Sequence, residues 1–175
     1  QMEKDDPRVF VPQQFANEAN SQAHREQTGR EILEQAGKPI HGFCSGIGTG
    51  GTITGVGEAL REKNPDILIW AIEPEHAAIL SGGTVGTHIQ MGIGDGVIPE
   101  ILHQDVYQEI VIVTDEEALR TAKDLAAKEG LMCGITGGTH VAAALKMAKK
   151  LGKGKTVVTI LPDTAERYFS TELFD

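Results

Sequence analysis

The segment Ser45-Gly46-Ile47-Gly48-Thr49-Gly50-Gly51-Thr52, the glycine segment, carries the strongest structural signal, because it joins a short apolar run to a helical pattern. Its four glycines allow successive backbone N–H groups to point at one centre, and the following helix adds its positive N-terminal end. An anion such as a phosphate is therefore favoured at this turn. The alternative is a tight turn that binds nothing, although such a turn needs fewer glycines and hydroxyl residues.

The sequence on both sides of this segment predicts a βαβ unit. Residues 40–44 form an apolar run that is compatible with a strand, and residues 52–63 carry apolar side chains at helical spacing. Residues 67–72 are continuously apolar and rich in β-branched side chains, as in a strand that is covered on both faces. A parallel strand pair connected by a helix follows from this order.

The same alternation continues to the C-terminus. Residues 109–113 and 156–161 are predicted strands, and residues 139–150 are a predicted helix. Thr114 and Glu117 form a capping box at the start of another helix, which Gly130 closes. The predicted fold class is α/β, with a mostly parallel sheet of four or more strands flanked by helices.

The first residues have a different character. Residues 20–35 are mostly helix formers, Thr28 and Glu31 are predicted to form a capping box for a second helical piece, and Gly37 ends this region. We therefore predict a helical lead-in over residues 1–37 and an α/β domain over residues 38–175.

Composition and charge exclude several classes of protein. The chain of 175 residues has 16 basic and 25 acidic residues, a net charge of -9, and no basic patch, which argues against nucleic acid as a partner. No apolar run approaches the ~20 residues that a membrane-spanning helix needs, and the start carries no signal-peptide core. No Cys or His spacing indicates a metal site. A cytoplasmic location without a membrane contact is expected.

The glycine segment alone leaves the kind of phosphate open. Gly46, Gly48 and Gly51 also satisfy the dinucleotide pattern G-x-G-x-x-G, and Glu73 lies 22 residues beyond Gly51, where a dinucleotide-binding fold places the acid that holds the ribose. A dinucleotide-binding oxidoreductase domain is therefore one alternative. Pro74 directly after Glu73 and the lack of a clear acid or base for hydride transfer argue against it.

Several motifs in order give a more specific indication. They are Pro12-Gln13-Gln14-Phe15-Ala16-Asn17, Gly48-Thr49-Gly50-Gly51-Thr52, Gly92-Ile93-Gly94-Asp95-Gly96-Val97-Ile98-Pro99 and Leu161-Pro162-Asp163-Thr164-Ala165-Glu166-Arg167-Tyr168-Phe169-Ser170-Thr171. Together they resemble the second half of the cysteine synthase (O-acetylserine sulfhydrylase) family of fold-type II enzymes, related to the tryptophan synthase β subunit. The closely related cystathionine β-synthases share most of these motifs and remain an alternative.

The resemblance implies pyridoxal 5'-phosphate as the cofactor. In the family, the loop that matches Gly48, Thr49, Gly50, Gly51 and Thr52 holds the cofactor phosphate. The hydroxyl that matches Thr136 faces the pyridine nitrogen, where a neutral group suits elimination and replacement at the β carbon. From the residues alone, Thr136 could equally be a helix N-cap.

The resemblance also implies the reaction and the residues around the substrate. Loss of acetate from O-acetylserine would give an aminoacrylate, to which sulfide adds to form cysteine. The positions matching Gln14, Phe15 and Gly94 lie near the amino acid substrate in the family. Asp95 stands where the family more usually has a small residue, which leaves the acyl donor open. The six histidines show no ligand spacing, and we expect surface or capping roles for them.

One part of the family pattern has no match. The Schiff-base lysine belongs to an early Ser-x-Lys-Asp/Asn-Arg motif, which these 175 residues do not contain. No residue of this chain is therefore assigned as catalytic, and the isolated chain is expected to be inactive. The resemblance further implies a homodimer in the intact enzyme, and the C-terminal tail of a serine acetyltransferase as a further partner.

Overall fold

A computed structural model describes residues 2–174. Its centre is a four-stranded sheet in which every pairing is parallel, in the order β3-β2-β1-β4. The strands are β1 (Gly42–Gly46), β2 (Leu68–Pro74), β3 (Glu109–Val113) and β4 (Val157–Thr159). The predicted fold class is confirmed, and β3 has the predicted bounds.

Helices cover both faces of the sheet. The α-helices of residues 2–174 are α1 (Met2–Asp5), which buries no residue, α2 (Ala19–Ala23), α3 (Gly29–Ala36), α4 (Gly51–Lys63), α5 (Asp115–Asp124) and α6 (Ile135–Leu151). Because successive strand residues point to opposite faces, Phe43 packs with the α4 side chains, whereas Cys44 packs with those of α6. Each strand therefore contributes to two hydrophobic cores, as its continuous apolar sequence predicts.

Local capping signals account for several helix ends. Thr114 accepts a hydrogen bond from the Glu117 backbone N–H at 3.1 Å, and the Glu117 carboxylate accepts one from the Thr114 N–H at 3.3 Å, so this predicted capping box is confirmed. Gly37 ends α3 with a φ of 59°, a conformation that glycine adopts without strain. Helix α6 begins four residues earlier than predicted.

The predicted capping box at Thr28 and Glu31 is wrong. Residues 24–28 form a π-helical turn that connects α2 to α3 without a break, and Thr28 has helical φ and ψ angles. The Thr28 hydroxyl lies 3.0 Å from Nδ1 of His24 instead of capping a helix. This continuous helix packs on α4, where a Cβ on Gly55 would lie 2.1 Å from the Ser21 carbonyl oxygen. The division of the chain at residue 37 stays a prediction.

The order of the strands places a crevice beside β1. The chain proceeds from β1 through β2 to β3 on one side of β1, and α6 then returns it to β4 on the other side. Ligands of open α/β sheets bind at such a reversal, beyond the carboxyl ends of the strands. Among residues 2–174, no helix combines the length and the apolar character that crossing a bilayer requires.

Candidate functional site

A cavity of about 450 Å³ opens at this reversal. The glycine segment after β1, the loop around Met91, the first turns of α6 and the chain after β4 form its walls. Its lining residues are Ser45, Gly46, Gly48, Thr49, Gly50, Thr52, Met91, Gly92, Ile93, Thr136, His140, Ile160, Pro162, Asp163, Arg167 and Tyr168. Residues that are more than 100 positions apart in the sequence therefore surround one space.

The glycine segment presents the N-terminus of α4 to this cavity. Gly50 is the N-cap, with a φ of 82°, and it has no side chain to satisfy the first N–H groups of the helix. The Gly51 N–H reaches the Thr49 hydroxyl at 3.4 Å. Asn20 donates from Nδ2 to Oγ1 of Thr49 at 2.9 Å, which holds Thr49 against α2. An uncapped helix N-terminus beside a cavity is suited to bind an anion.

The opposite wall lies close to the glycine segment. A Cβ on Gly48 would lie 2.4 Å from the Gly92 carbonyl oxygen, so only glycine permits this approach of the two loops. Thr136 is buried and donates from its hydroxyl to the Met91 carbonyl oxygen at 2.6 Å. The N-cap of α6 is Gly134, whereas Thr136 lies inside the first turn, so the alternative of Thr136 as an N-cap is wrong.

A buried histidine forms the floor of the cavity. His140 is 3% exposed, and its Nε2 accepts a hydrogen bond from the Gly46 N–H at 2.8 Å. Its Nδ1 donates to the Ile160 carbonyl oxygen at 2.7 Å. Burial lowers the pKa of His140 to about 4, so the ring is neutral near neutral pH. The expectation of a surface or capping role is wrong for this histidine, because α6 points it inward.

An acidic side chain, Asp163, is among the residues that line the cavity. Oδ2 of Asp163 accepts a hydrogen bond from the Tyr168 hydroxyl. Burial, with the bond to Asp163 next in size, raises the pKa of Tyr168 to about 12 and keeps it protonated. The other oxygen, Oδ1, is buried, and no group of residues 2–174 donates to it. This oxygen packs against Gly134, on which a Cβ would lie 2.2 Å from it.

The predicted site residues separate into two groups. Gly48, Thr49, Gly50, Thr52 and Thr136 all line the cavity, whereas Gly51 is buried behind the segment, where a Cβ would meet Oδ1 of Asn20 at 2.1 Å. The three predicted substrate residues lie outside the lining and are placed as follows. The Gln14 carbonyl oxygen accepts from Nδ2 of Asn20, the Phe15 carbonyl oxygen accepts from the Ile101 N–H, and the Gly94 N–H donates to the Ile47 carbonyl oxygen.

Prediction from the sequence missed His140, Asp163 and Tyr168 as lining residues. Asp163 and Tyr168 belong to the quoted motif at residues 161–171, so their place in that motif was a usable signal. His140 offered one weaker signal, because it follows Thr136 by four residues and therefore lies on the same face of the helix.

The dinucleotide alternative is wrong. Glu73 is 4% exposed, and its carboxylate accepts hydrogen bonds from the Leu80 N–H at 2.7 Å and from the N–H and the hydroxyl of Ser81 at 3.1 and 2.8 Å. Both carboxylate oxygens are thus used within the chain. Glu73 organises the turn after β2 and is not free to hold a ribose.

Comparison with known proteins gives the family. The sequence profile described as pyridoxal-phosphate dependent enzyme matches residues 1–163. The chain belongs to this family. Its match covers the glycine segment, the loop around Met91 and the start of α6, which together form most of the cavity. The cofactor named in the family's description carries the phosphate for which the glycine segment is suited.

Individual relatives agree with this family. The chain is 46% identical over 172 residues to the cysteine synthase of Staphylococcus aureus (strain Mu50), covering 98% of this chain and 56% of that protein. The crystal structure of the Entamoeba histolytica cysteine synthase superposes with a TM-score of 0.93 at 38% identity, covering 99% of this chain and 51% of that one.

A third relative is described as forming cystathionine instead of cysteine. The structure of the O-acetylserine dependent cystathionine β-synthase from Helicobacter pylori superposes with a TM-score of 0.94 at 36% identity, over 99% of this chain and 56% of that one. The chain spans about half the length of the curated relatives it matches. The likeness of the fold therefore does not separate the two reactions, whereas the identity to the curated relatives favours cysteine synthase.

Proposed function

We propose that this chain is the phosphate-binding part of a pyridoxal 5'-phosphate dependent cysteine synthase, which converts O-acetylserine and sulfide to cysteine and acetate. The observation that carries the proposal is the uncapped N-terminus of α4, which opens into the cavity between the glycine segment and α6. Its backbone N–H groups and helix dipole are suited to a phosphate monoester. The identity of 46% to a cysteine synthase supports the reaction.

The residues at the cavity fit this cofactor. Gly48, Thr49, Gly50, Gly51 and Thr52 would hold the phosphate, and the close approach of Gly48 to Gly92 leaves the backbone of both loops accessible at the cavity wall. Asp163 adds a carboxylate to the lining, and its Oδ2 is already occupied by the Tyr168 hydroxyl.

Thr136 would contact the ring nitrogen of the cofactor. Its hydroxyl proton is directed at the Met91 carbonyl oxygen, and because a hydroxyl rotates, it would turn to donate to an unprotonated ring nitrogen when the cofactor binds. Bound pyridoxal 5'-phosphate supplies the electron-withdrawing ring that allows acetate to leave and sulfide to replace it. The residues of this chain bind the phosphate, orient the ring and shield it from water. No lysine is among the residues of the described chain that line the cavity.

We assign the substrate side of the site to Gln14, Phe15 and Gly94. Support for Gln14 comes from Asn20. The Asn20 side chain donates to the Gln14 carbonyl oxygen and to the Thr49 hydroxyl, each at 2.9 Å, and so connects residue 14 to the glycine segment. The proposal also includes a homodimer in the intact enzyme, the C-terminal tail of a serine acetyltransferase as a partner, and a cytoplasmic location.

A phosphorus-31 NMR titration tests the cofactor. Pyridoxal 5'-phosphate added to the chain is expected to show a shifted, saturable phosphate resonance. Gly48→Ala should weaken this binding at least about tenfold, because the new Cβ would push the glycine segment away from Gly92. Thr114→Ala, at a helix start that does not line the cavity, is the matched control and should bind as the parent chain does. Equal binding by all three proteins would contradict the proposed phosphate site.

A hybrid enzyme tests the reaction. Residues 2–174 would replace the matched segment of the Staphylococcus aureus cysteine synthase, and the product formed from O-acetylserine would be measured with sulfide and, separately, with homocysteine. Cysteine formation with sulfide as the preferred nucleophile supports the proposal. A preference for homocysteine would instead support the cystathionine β-synthase alternative, and a hybrid with bound cofactor that consumes no O-acetylserine would refute both.

A further inference from the structure

Strands β1 and β4 separate at the point where the cavity begins. Strand β1 is paired with β4 only as far as Cys44 and Thr159, although β1 continues to Gly46 beside β2. Beyond that pair, no direct backbone hydrogen bond joins Gly46 to residue 160. The imidazole of His140 lies between them and is hydrogen-bonded to both, with its Nε2 towards Gly46 and its Nδ1 towards Ile160.

The geometry fixes the proton on this imidazole. A backbone N–H only donates and a carbonyl oxygen only accepts, so Nε2 must be unprotonated and Nδ1 must carry the hydrogen. Close packing holds the ring in this place. A Cβ on Gly46 would lie 2.8 Å from Nε2 and 2.8 Å from Cγ2 of Ile93. The His140 carbonyl oxygen also accepts from Sγ of Cys44, which ties α6 to β1 at the same level.

Gly46 is the last residue before the turn that presents the N-terminus of α4. Any displacement of its amide moves residues 47–50 directly, because only those four residues connect β1 to α4. We propose that His140 is a positioning residue, whose imidazole holds the Gly46 amide and thereby sets the glycine segment over the cavity. The inference deepens the proposed function, on which it rests for the nature of the ligand.

Two substitutions separate the two hydrogen bonds of His140. In His140→Asn, the amide nitrogen comes close to the position of Nδ1, so donation to Ile160 is kept and the acceptor for Gly46 is lost. In His140→Gln, the amide oxygen reaches the position of Nε2, so the acceptor for Gly46 is kept. Thr114→Ala is the control for a loss of stability far from the cavity, because it removes a helix cap instead.

Amide hydrogen exchange of residues 46–50 is the decisive measurement. His140→Asn should accelerate this exchange about 5- to 10-fold, the effect of one lost hydrogen bond, while His140→Gln and Thr114→Ala stay within about 3-fold of the parent chain. Unchanged exchange in His140→Asn would overturn the proposal. Equal acceleration in the Asn and Gln variants would overturn it as well, since packing and not the acceptor would then be responsible.

A measurement on the unmodified chain covers the case of a variant that does not fold. Nitrogen-15 NMR should show a proton on Nδ1 of His140 and a scalar coupling across the N–H···N bond between Gly46 and Nε2. A proton on Nε2 would overturn the proposal, because Nε2 could then not accept from Gly46.

A titration with inorganic phosphate and with pyridoxal 5'-phosphate connects the positioning role to the ligand. His140→Asn should weaken binding of both about 5- to 10-fold, and His140→Gln should weaken it less than about 3-fold. If the parent chain binds neither compound, the proposed function fails, whereas hydrogen exchange still decides the role of His140. If both compounds bind and the Asn variant binds them as tightly as the parent, the positioning role fails alone.

Discussion

Lowering the pH should destabilise this protein through His140. Burial lowers the pKa of the ring to about 4, with the bond to Ile160 and the charge of Asp163 acting in the opposite direction. The unfolded chain takes up a proton on this residue near its ordinary pKa of about 6.5. The folded chain does not do so until about pH 4. The neutral His140 therefore costs the folded state nothing above about pH 6.5, and the free energy of unfolding falls as the pH is lowered towards 4.

The size of this loss follows from the two pKa values. Between about pH 7.5 and pH 5, linkage gives a decrease of about 2 kcal/mol in the free energy of unfolding, and close to 3 kcal/mol by pH 4. His24 has a pKa that burial lowers as well, and it contributes in the same direction. Comparison with His140→Gln isolates His140, because His24 titrates in both proteins.

Urea denaturation at the two pH values is the assay. The parent chain should lose about 2 kcal/mol more than His140→Gln does between about pH 7.5 and pH 5. Unchanged m-values in both proteins would show that the denatured state is not responsible for the difference. If parent and variant lose the same free energy to within about 0.5 kcal/mol, the buried neutral imidazole is not the source of the pH dependence, and its inferred environment is wrong.

Three further changes test the local structure around the site. Gly50→Ala should lower the free energy of unfolding by about 1–2 kcal/mol in urea denaturation, because φ is 82° at this position and the new Cβ would lie 3.0 Å from Leu102. A free energy equal to the parent's would contradict the left-handed N-cap. Thr114→Ala should cost about 1 kcal/mol by the same assay and leave phosphate binding unchanged, and a binding defect would show that α5 is coupled to the cavity. Glu73→Gln should lower the thermal midpoint, because it weakens the hydrogen bonds from Leu80 and Ser81. It should leave the affinity for a nicotinamide dinucleotide, measured by fluorescence, unchanged. Dinucleotide binding that the parent chain shows and this variant loses would restore the rejected alternative.

The sequence was sufficient wherever the signal is local. The apolar run at 67–72 predicts a strand covered on both faces, and residues 109–113 predict a further strand, because a strand needs only its own residues to show such a pattern. Thr114 and Glu117 satisfy each other's backbone N–H groups within one turn, so their capping box can be read directly. The same signal failed at Thr28, because the preceding helix continues through a π-helical turn and leaves no free end to cap.

The glycine segment was predictable for a similar reason. All the glycines that its backbone conformation needs lie within eight residues. The order of strand, glycines and helix then places several N–H groups at the N-terminus of one helix. The sequence did not determine what lies opposite. Gly48 contacts Gly92 only because the long loop after β2 folds back over β1. The Glu73 carboxylate accepts hydrogen bonds from residues 80 and 81 only in that loop conformation.

The place of His140 depends on the tertiary structure. Along the sequence it is one of six histidines without ligand spacing, and only its distance of four residues from Thr136 places it on the same helix face. Its partners are 94 residues before it and 20 residues after it, and they meet only when β4 pairs with β1 across the return from α6. Helices and turns are specified by interactions between residues close in the sequence. The space that the His140 imidazole fills between β1 and residue 160 exists only after the strands have paired.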